Sequence, residues 1–324
     1  MRKIITSFIF IVAILVGFGV GFGVVKGAEY AFTVASGYVN EFQAQVSFVA
    51  PGQGGPDAEP IAVDQDTIDM ILDSRVFYIS DPTKKPKTSA ISYLVADLKT
   101  GQVLVAKNQN QQLPIASITK LMTALVADEV LGLDTQTIID SFAVNTYGGQ
   151  GNLKVKEKYT VSELLYPLLL ESSNDAAEAL ARAHDRPSFI SDMNAKAQSI
   201  GLLKTHFEDA SGLSSGNKST VTDLFKLTQY ISTYRKYIFD ITKVKKIDLR
   251  NKTWLSNSRF RSDDEYAGGK NGYTDEALKT QLALFEHDFD GEVRTVAYVL
   301  LRSNDVEYDM KLLRSFVEKN TEYK

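Results

Sequence analysis

The chain has 324 residues, with 40 acidic and 36 basic side chains and a formal charge of −4 at neutral pH. It has no cysteine and only three histidines, His184, His206 and His287. This composition excludes a thiol nucleophile, a disulfide framework and a thiolate metal site. It offers no HExxH-type ligand pair, so no metal is expected, and without a basic stripe it gives no reason to expect a nucleic-acid partner. A Ser-His-Asp triad is allowed in principle, but no histidine lies near a serine in a G-x-S-x-G context.

Arg2 and Lys3 precede an uncharged run from Ile4 to Val25. As a helix this run reaches about 33 Å, enough for a hydrocarbon core of about 30 Å, whereas signal-peptide apolar regions usually have roughly 7 to 15 residues. Residues 1–27 are therefore expected to be an uncleaved single-pass anchor in the cell membrane, with Arg2 and Lys3 in the cytoplasm and the rest exported. A cleaved signal ending near Val25 and Gly27, giving a secreted protein, is the alternative. Residues 28–88 are expected to be a stalk or linker that includes the Pro- and Gly-rich stretch 51–56. The globular domain is expected over 89–324.

Ile91 to Asp97 and Gln102 to Lys107 are β-rich runs joined by Leu98-Lys99-Thr100-Gly101, the pattern of a hairpin. Ser117 to Val130 carries Ile118, Leu121, Met122, Leu125 and Val126 at helical spacing. Thr160 opens a helix, with Glu163 completing a capping box before a leucine-rich run around Pro167. Further helices are expected from Asn174 to Ala183, from Ser188 to Ile200 before Gly201, and from Thr220 to Tyr234. Gln281 to His287 and Glu292 to Arg302 predict a second strand pair, turned at Asp288-Phe289-Asp290-Gly291. Asp305 to Lys319 predicts a closing amphipathic helix. A strand pair, a helical middle and returning strands imply an α+β fold, in which one antiparallel sheet is built from both ends of the domain and covered by helices.

Three short strings carry candidate chemistry. Ser117 and Lys120 lie three apart at a helix start, where Cβ atoms are about 5 to 6 Å apart and side chains can touch. Serine becomes a nucleophile only when something accepts its proton, and a lysine does so only when neutral; burial and a second cation both favour that state. On its own, S-x-x-K commonly marks a capping serine followed by a solvated lysine. Ser172-Ser173-Asn174 reads either as a polar turn with an N-cap or as a proton relay (Ser172) beside a substrate amide contact (Asn174). Lys270-Asn271-Gly272-Tyr273 reads either as a glycine-rich turn or as a short edge strand. In the second reading Gly272 admits a substrate backbone, and Lys270 supplies charge for a carboxylate while keeping Lys120 neutral.

The three strings in this order, with their flanks Ala116 to Thr123, Leu169 to Ala177, Met193-Asn194, Thr205-His206-Phe207, Ser211-Gly212-Leu213 and Gly269 to Ala277, resemble the D-alanyl-D-alanine carboxypeptidases. These are the low-molecular-mass penicillin-binding proteins related to serine β-lactamases, and the resemblance spans roughly Ile91 to Arg302. It implies a β-lactamase/transpeptidase-like five-stranded antiparallel sheet flanked by helices, and no cofactor. Ser117 would form an acyl-enzyme with the penultimate D-alanine of a peptidoglycan stem peptide ending in D-Ala-D-Ala, with Lys120 as general base. Ser172 and Asn174 would form the second wall. Lys270 and Asn271 would hold the terminal carboxylate, and the Ser117 and Tyr273 amides would form the oxyanion hole. β-Lactam antibiotics would be covalent inhibitors. The chain departs from the family pattern at Asn271, where Thr or Ser is usual, and at Leu278, where glycine is usual. With little chain beyond the closing helix, a second β-domain is not expected. A DD-endopeptidase, a β-lactamase and a degenerate cell-wall-binding protein are the alternative readings.

Overall fold

Tyr93, Leu94, Val95 and Ala96 are all buried, which a strand achieves only when both its faces are covered. In the computed structural model, which describes residues 76–148 and 150–324 together with an antiparallel pair between Ser47–Phe48 and Ile61–Ala62, this stretch lies inside a five-stranded sheet. The strands are β1 (Ser92–Asp97), β2 (Val103–Lys107), β3 (Tyr266–Thr274), β4 (Leu278–Phe289) and β5 (Glu292–Ser303). Their order is β3-β4-β5-β1-β2, with every neighbour antiparallel. The sheet thus joins the two ends of the domain, as the α+β reading anticipates. The expected anchor at 1–27 and the linker at 51–56 lie outside the described residues. Among the described residues no helix is long and apolar enough to cross a membrane.

Strand alternation divides the core into two layers. Leu94, Ala96, Leu282, Leu284, Ala297, Val299 and Leu301 face a large helical layer. Tyr93, Val95, Ala283, Phe285, Val296, Tyr298 and Leu300 face the closing helix through Met310, Leu313, Phe316 and Val317. The helical layer comprises α1 (Thr119–Leu131), α2 (Val161–Leu170), α3 (Asn174–His184), α4 (Arg186–Ser199), α5 (Val221–Tyr234) and α6 (Tyr237–Lys243); the closing helix is α7 (Val306–Asn320). Helix α1 is buried without interruption from Thr119 to Ala127, so it is the centre of this layer rather than an amphipathic surface helix. The Thr160–Glu163 capping box forms in both directions.

Several elements differ from the sequence reading. Lys270 to Gly272 belong to a nine-residue edge strand, not a short one. The β4–β5 turn is only Asp290-Gly291, both at positive φ (53° and 91°), the primed conformation that matches strand twist. Helix α6 and the hairpin Lys246–Leu249/Lys252–Leu255 fall where no element was anticipated. Each is too short to show a long period, although Ile238, Phe239, Thr242 and Trp254 are buried. Phe77–Ile79 pairs with Thr321–Tyr323, tying the start of this compact unit to its end.

Candidate active site

Ser117 sits in a 3-10 turn, Ala116–Ile118, that runs directly into α1. Ala116 adopts φ +48°, a left-handed conformation that costs a non-glycine residue roughly 1 kcal/mol or more and needs surrounding support. Two bare backbones supply it. A β-carbon on Gly212 would lie 2.0 Å from the Ala116 carbonyl oxygen, and one on Gly272 would lie 2.6 Å from the Ser117 amide nitrogen. Only glycine permits either approach.

One helical turn on, the Lys120 ammonium nitrogen lies 3.0 Å from Ser117 Oγ, as the three-residue spacing requires. It also donates to Asn174 Oδ1 at 2.8 Å and to the Ser211 carbonyl at 2.5 Å. Lys120 is fully buried. Burial, reinforced by the positive charge of Lys270, pushes its pKa well below the ordinary lysine range, while Asp209 acts in the opposite direction. The side chain next to the serine is therefore a lysine biased toward the neutral amine.

The second string closes the opposite side. Ser172 lines the cleft with φ +62°. Ser173 caps α3 by accepting from the Ala176 amide and donates to the Gln150 carbonyl, so it is structural. Asn174 also donates through Nδ2 to the Tyr147 carbonyl at 2.7 Å. The carboxamide oxygen serves Lys120, which leaves one N–H for the substrate contact expected from the sequence.

The third string lies on edge strand β3. Asn271, Gly272 and Tyr273 line the cleft with Ser117, Ser172 and Asn174. Lys270 is buried behind them, its Nζ donating to the Asn271 carbonyl at 2.9 Å, and burial pushes its pKa down to about 7. Tyr273 is 61% exposed at the rim, with its hydroxyl on Asp275. The cleft encloses about 650 Å³. All eight residues singled out from the sequence thus meet around one opening, with Lys270 and Lys120 beneath its floor. Among the described residues no group of three or more His, Asp or Glu could hold a metal ion.

The sequence reading missed the loop 208–217, which provides the Ser211 carbonyl and Gly212. It also missed Thr280 on β4, which donates to the Ile115 carbonyl at 3.0 Å and so ties the sheet to the turn before Ser117. The Ser-Gly-Leu flank pointed to the loop; nothing marked Thr280 except its place opposite Gly272.

A serine and a buried lysine on a central helix, facing a glycine-bearing edge strand of a five-stranded antiparallel sheet, place the chain in the class of penicillin-binding-protein-like folds. The crystal structure of penicillin-binding protein D2 from Listeria monocytogenes in its cefotaxime-bound form superposes with a TM-score of 0.62 at 25% identity, covering 73% of this chain and 98% of that one. The D-alanyl-D-alanine carboxypeptidase DacF of Bacillus subtilis is 29% identical, over 69% of this chain and 60% of its own length; the match thus spans less than two thirds of that relative. A D-alanyl-D-alanine endopeptidase of Haemophilus influenzae is 32% identical over 71% of this chain and 81% of its own length. The family model for peptidase S11, D-alanyl-D-alanine carboxypeptidase, matches residues 80–300. The chain belongs to this family.

Proposed function

We propose that the protein is a serine-type D-alanyl-D-alanine carboxypeptidase that removes the terminal D-alanine from peptidoglycan stem peptides. The observation that carries this reading is the 3.0 Å contact between Ser117 Oγ and the Nζ of a buried lysine. Neutral Lys120 takes the proton as Ser117 attacks the penultimate D-alanyl carbonyl. The Ser117 and Tyr273 amides stabilise the oxyanion, and losing one such donor typically costs about 10² to 10³ in rate. The proton passes to the departing D-alanine amine, with Ser172 as relay. Water, activated by the same lysine, then releases the acyl group. Lys270 and Asn271 hold the terminal carboxylate, and Asn174 contacts the peptide amide. β-Lactams acylate the same serine. The apolar run at 4–25 supports a membrane-anchored protein with this domain outside the cytoplasmic membrane.

The endopeptidase relative favours a second reading, cleavage of cross-linked stem peptides with the same residues. Incubation with a monomeric peptide ending in D-Ala-D-Ala tests the first. Free D-alanine is expected from the wild type and not from Ser117→Ala. Release from cross-linked muropeptides alone would favour the second.

A further inference from the structure

We propose that Asp209 is a positioning residue of this site: its carboxylate builds the loop that holds Lys120 and the Ser117 turn, and it acts on the reaction through Lys120. This rests on the reading of Lys120 as the general base. Asp209 is 9% exposed, and among the described residues no lysine or arginine forms an ion pair with it. Its partners are the loop itself. Oδ1 accepts from the Ser211 amide (2.8 Å), the Ser211 hydroxyl (3.0 Å) and the Gly212 amide (2.5 Å), and Oδ2 accepts from the Ser214 amide (2.6 Å). Asn217 ties the same loop to α1: Nδ2 donates to the Asp209 carbonyl (2.9 Å) and to Thr119 Oγ1 (3.1 Å), and Oδ1 accepts from the amides of Glu208 and Asp209.

Two consequences follow at the reacting groups. Gathering the amides of residues 211, 212 and 214 onto one carboxylate turns the Ser211 carbonyl toward Lys120 Nζ, which it accepts at 2.5 Å. The same turn brings the bare Gly212 backbone against the Ala116–Ser117 peptide. The Asp209 carboxylate is thus bonded to the amide of Ser211, the residue whose own carbonyl receives Lys120. The charges acting on Lys120 are those of Asp209, from the loop, and Lys270, from β3; the two act in opposite directions. Asn174 on α3 presents only an uncharged oxygen. Asp209 therefore moderates the depression that burial and Lys270 impose, and keeps the amine basic enough to accept the Ser117 proton.

Asp209→Asn keeps an acceptor for the Oδ1 bonds and removes the charge. Ser211→Ala removes the hydroxyl's bonds to Asp209 and the Leu213 amide but keeps the carboxylate. With wild type, the acid limb of the pH profile for acylation by a fluorescent penicillin reports Lys120. It is expected to move to lower pH by about one unit in Asp209→Asn and to stay in place in Ser211→Ala. Independently of acylation, the carbon-13 Cε resonance of Lys120, assigned by its loss in Lys120→Met, should titrate at correspondingly lower pH in Asp209→Asn. An unmoved resonance overturns the inference. A wild-type protein that is not acylated overturns the proposed function, and the resonance still decides the role of Asp209.

Discussion

Gly272 passes so near Ser117 that a β-carbon at 272 would sit 2.6 Å from the Ser117 amide nitrogen, 2.7 Å from Thr280 Oγ1 and 2.9 Å from Ala116 Cβ. Strand β3 therefore reaches the nucleophile only because residue 272 has no side chain. Gly272→Ala should push the strand away and separate the two oxyanion donors. Its penicillin acylation rate is expected to fall about 10²-fold or more, with a melting temperature close to wild type because β3 is an edge strand. Stopped-flow labelling and thermal melts measure the two effects.

Lys120 and Lys270 are both buried, and burial lowers the pKa of each, that of Lys270 to about 7. The proposed mechanism needs Lys120 neutral and Lys270 charged, so peptidase activity should fall as pH rises through about 7, where Lys270 loses the charge proposed to bind the carboxylate. Stability should change in the opposite direction. The unfolded chain, with lysines near their ordinary value of about 10.4, holds more protons than the folded one above pH 7, so stability rises with pH from about 7 upward. Urea denaturation at pH 6 and pH 9 checks the sign. Lys270→Met should flatten this rise and weaken substrate binding.

Asn271 stands on the cleft side of β3 between Lys270 and Gly272. In the proposed mechanism its amide donates to the substrate carboxylate, so Asn271→Ala should lower kcat/KM about tenfold, the worth of one hydrogen bond to a charged group. Asn271→Thr should retain activity, since a hydroxyl donates equally and a β-branched residue suits a strand. D-Alanine release kinetics for the three proteins decide it.

Away from the cleft, Arg294 on β5 grips Asp97 on β1 through two bonds, of 3.1 and 2.7 Å, with both side chains buried. Asp97→Ala breaks both bonds but leaves Arg294 its bonds to Glu292 and the Tyr323 hydroxyl, and should cost about 3 kcal/mol, the low end for a broken buried pair, measured by chemical denaturation. Acylation by penicillin at low temperature should persist in the folded fraction.

The sheet was legible because β1, β4 and β5 are long apolar runs between clear turns, and the capping box at Thr160 announced α2 without ambiguity. The site was legible because its side chains cluster in three short strings. The scaffold that orients them was not. Asp209 acts through backbone amides that any sequence possesses, and Thr280 acts through a pairing that exists only once β4 lies beside β3. Leu278, where the family pattern has glycine, was marked by that departure, and it takes φ +53° at the start of β4, a conformation that favours glycine. Helix α6 went unseen because its seven residues are too few for a period, yet Thr242 on it accepts from the Gly269 amide at 2.9 Å and helps hold β3 in place.

The most direct test of the central claim is mass spectrometry of the intact, folded protein after exposure to benzylpenicillin, followed by peptide mapping. A single covalent adduct is expected, carried by Ser117 and absent from Ser117→Ala. No adduct, or an adduct on another residue, would contradict it.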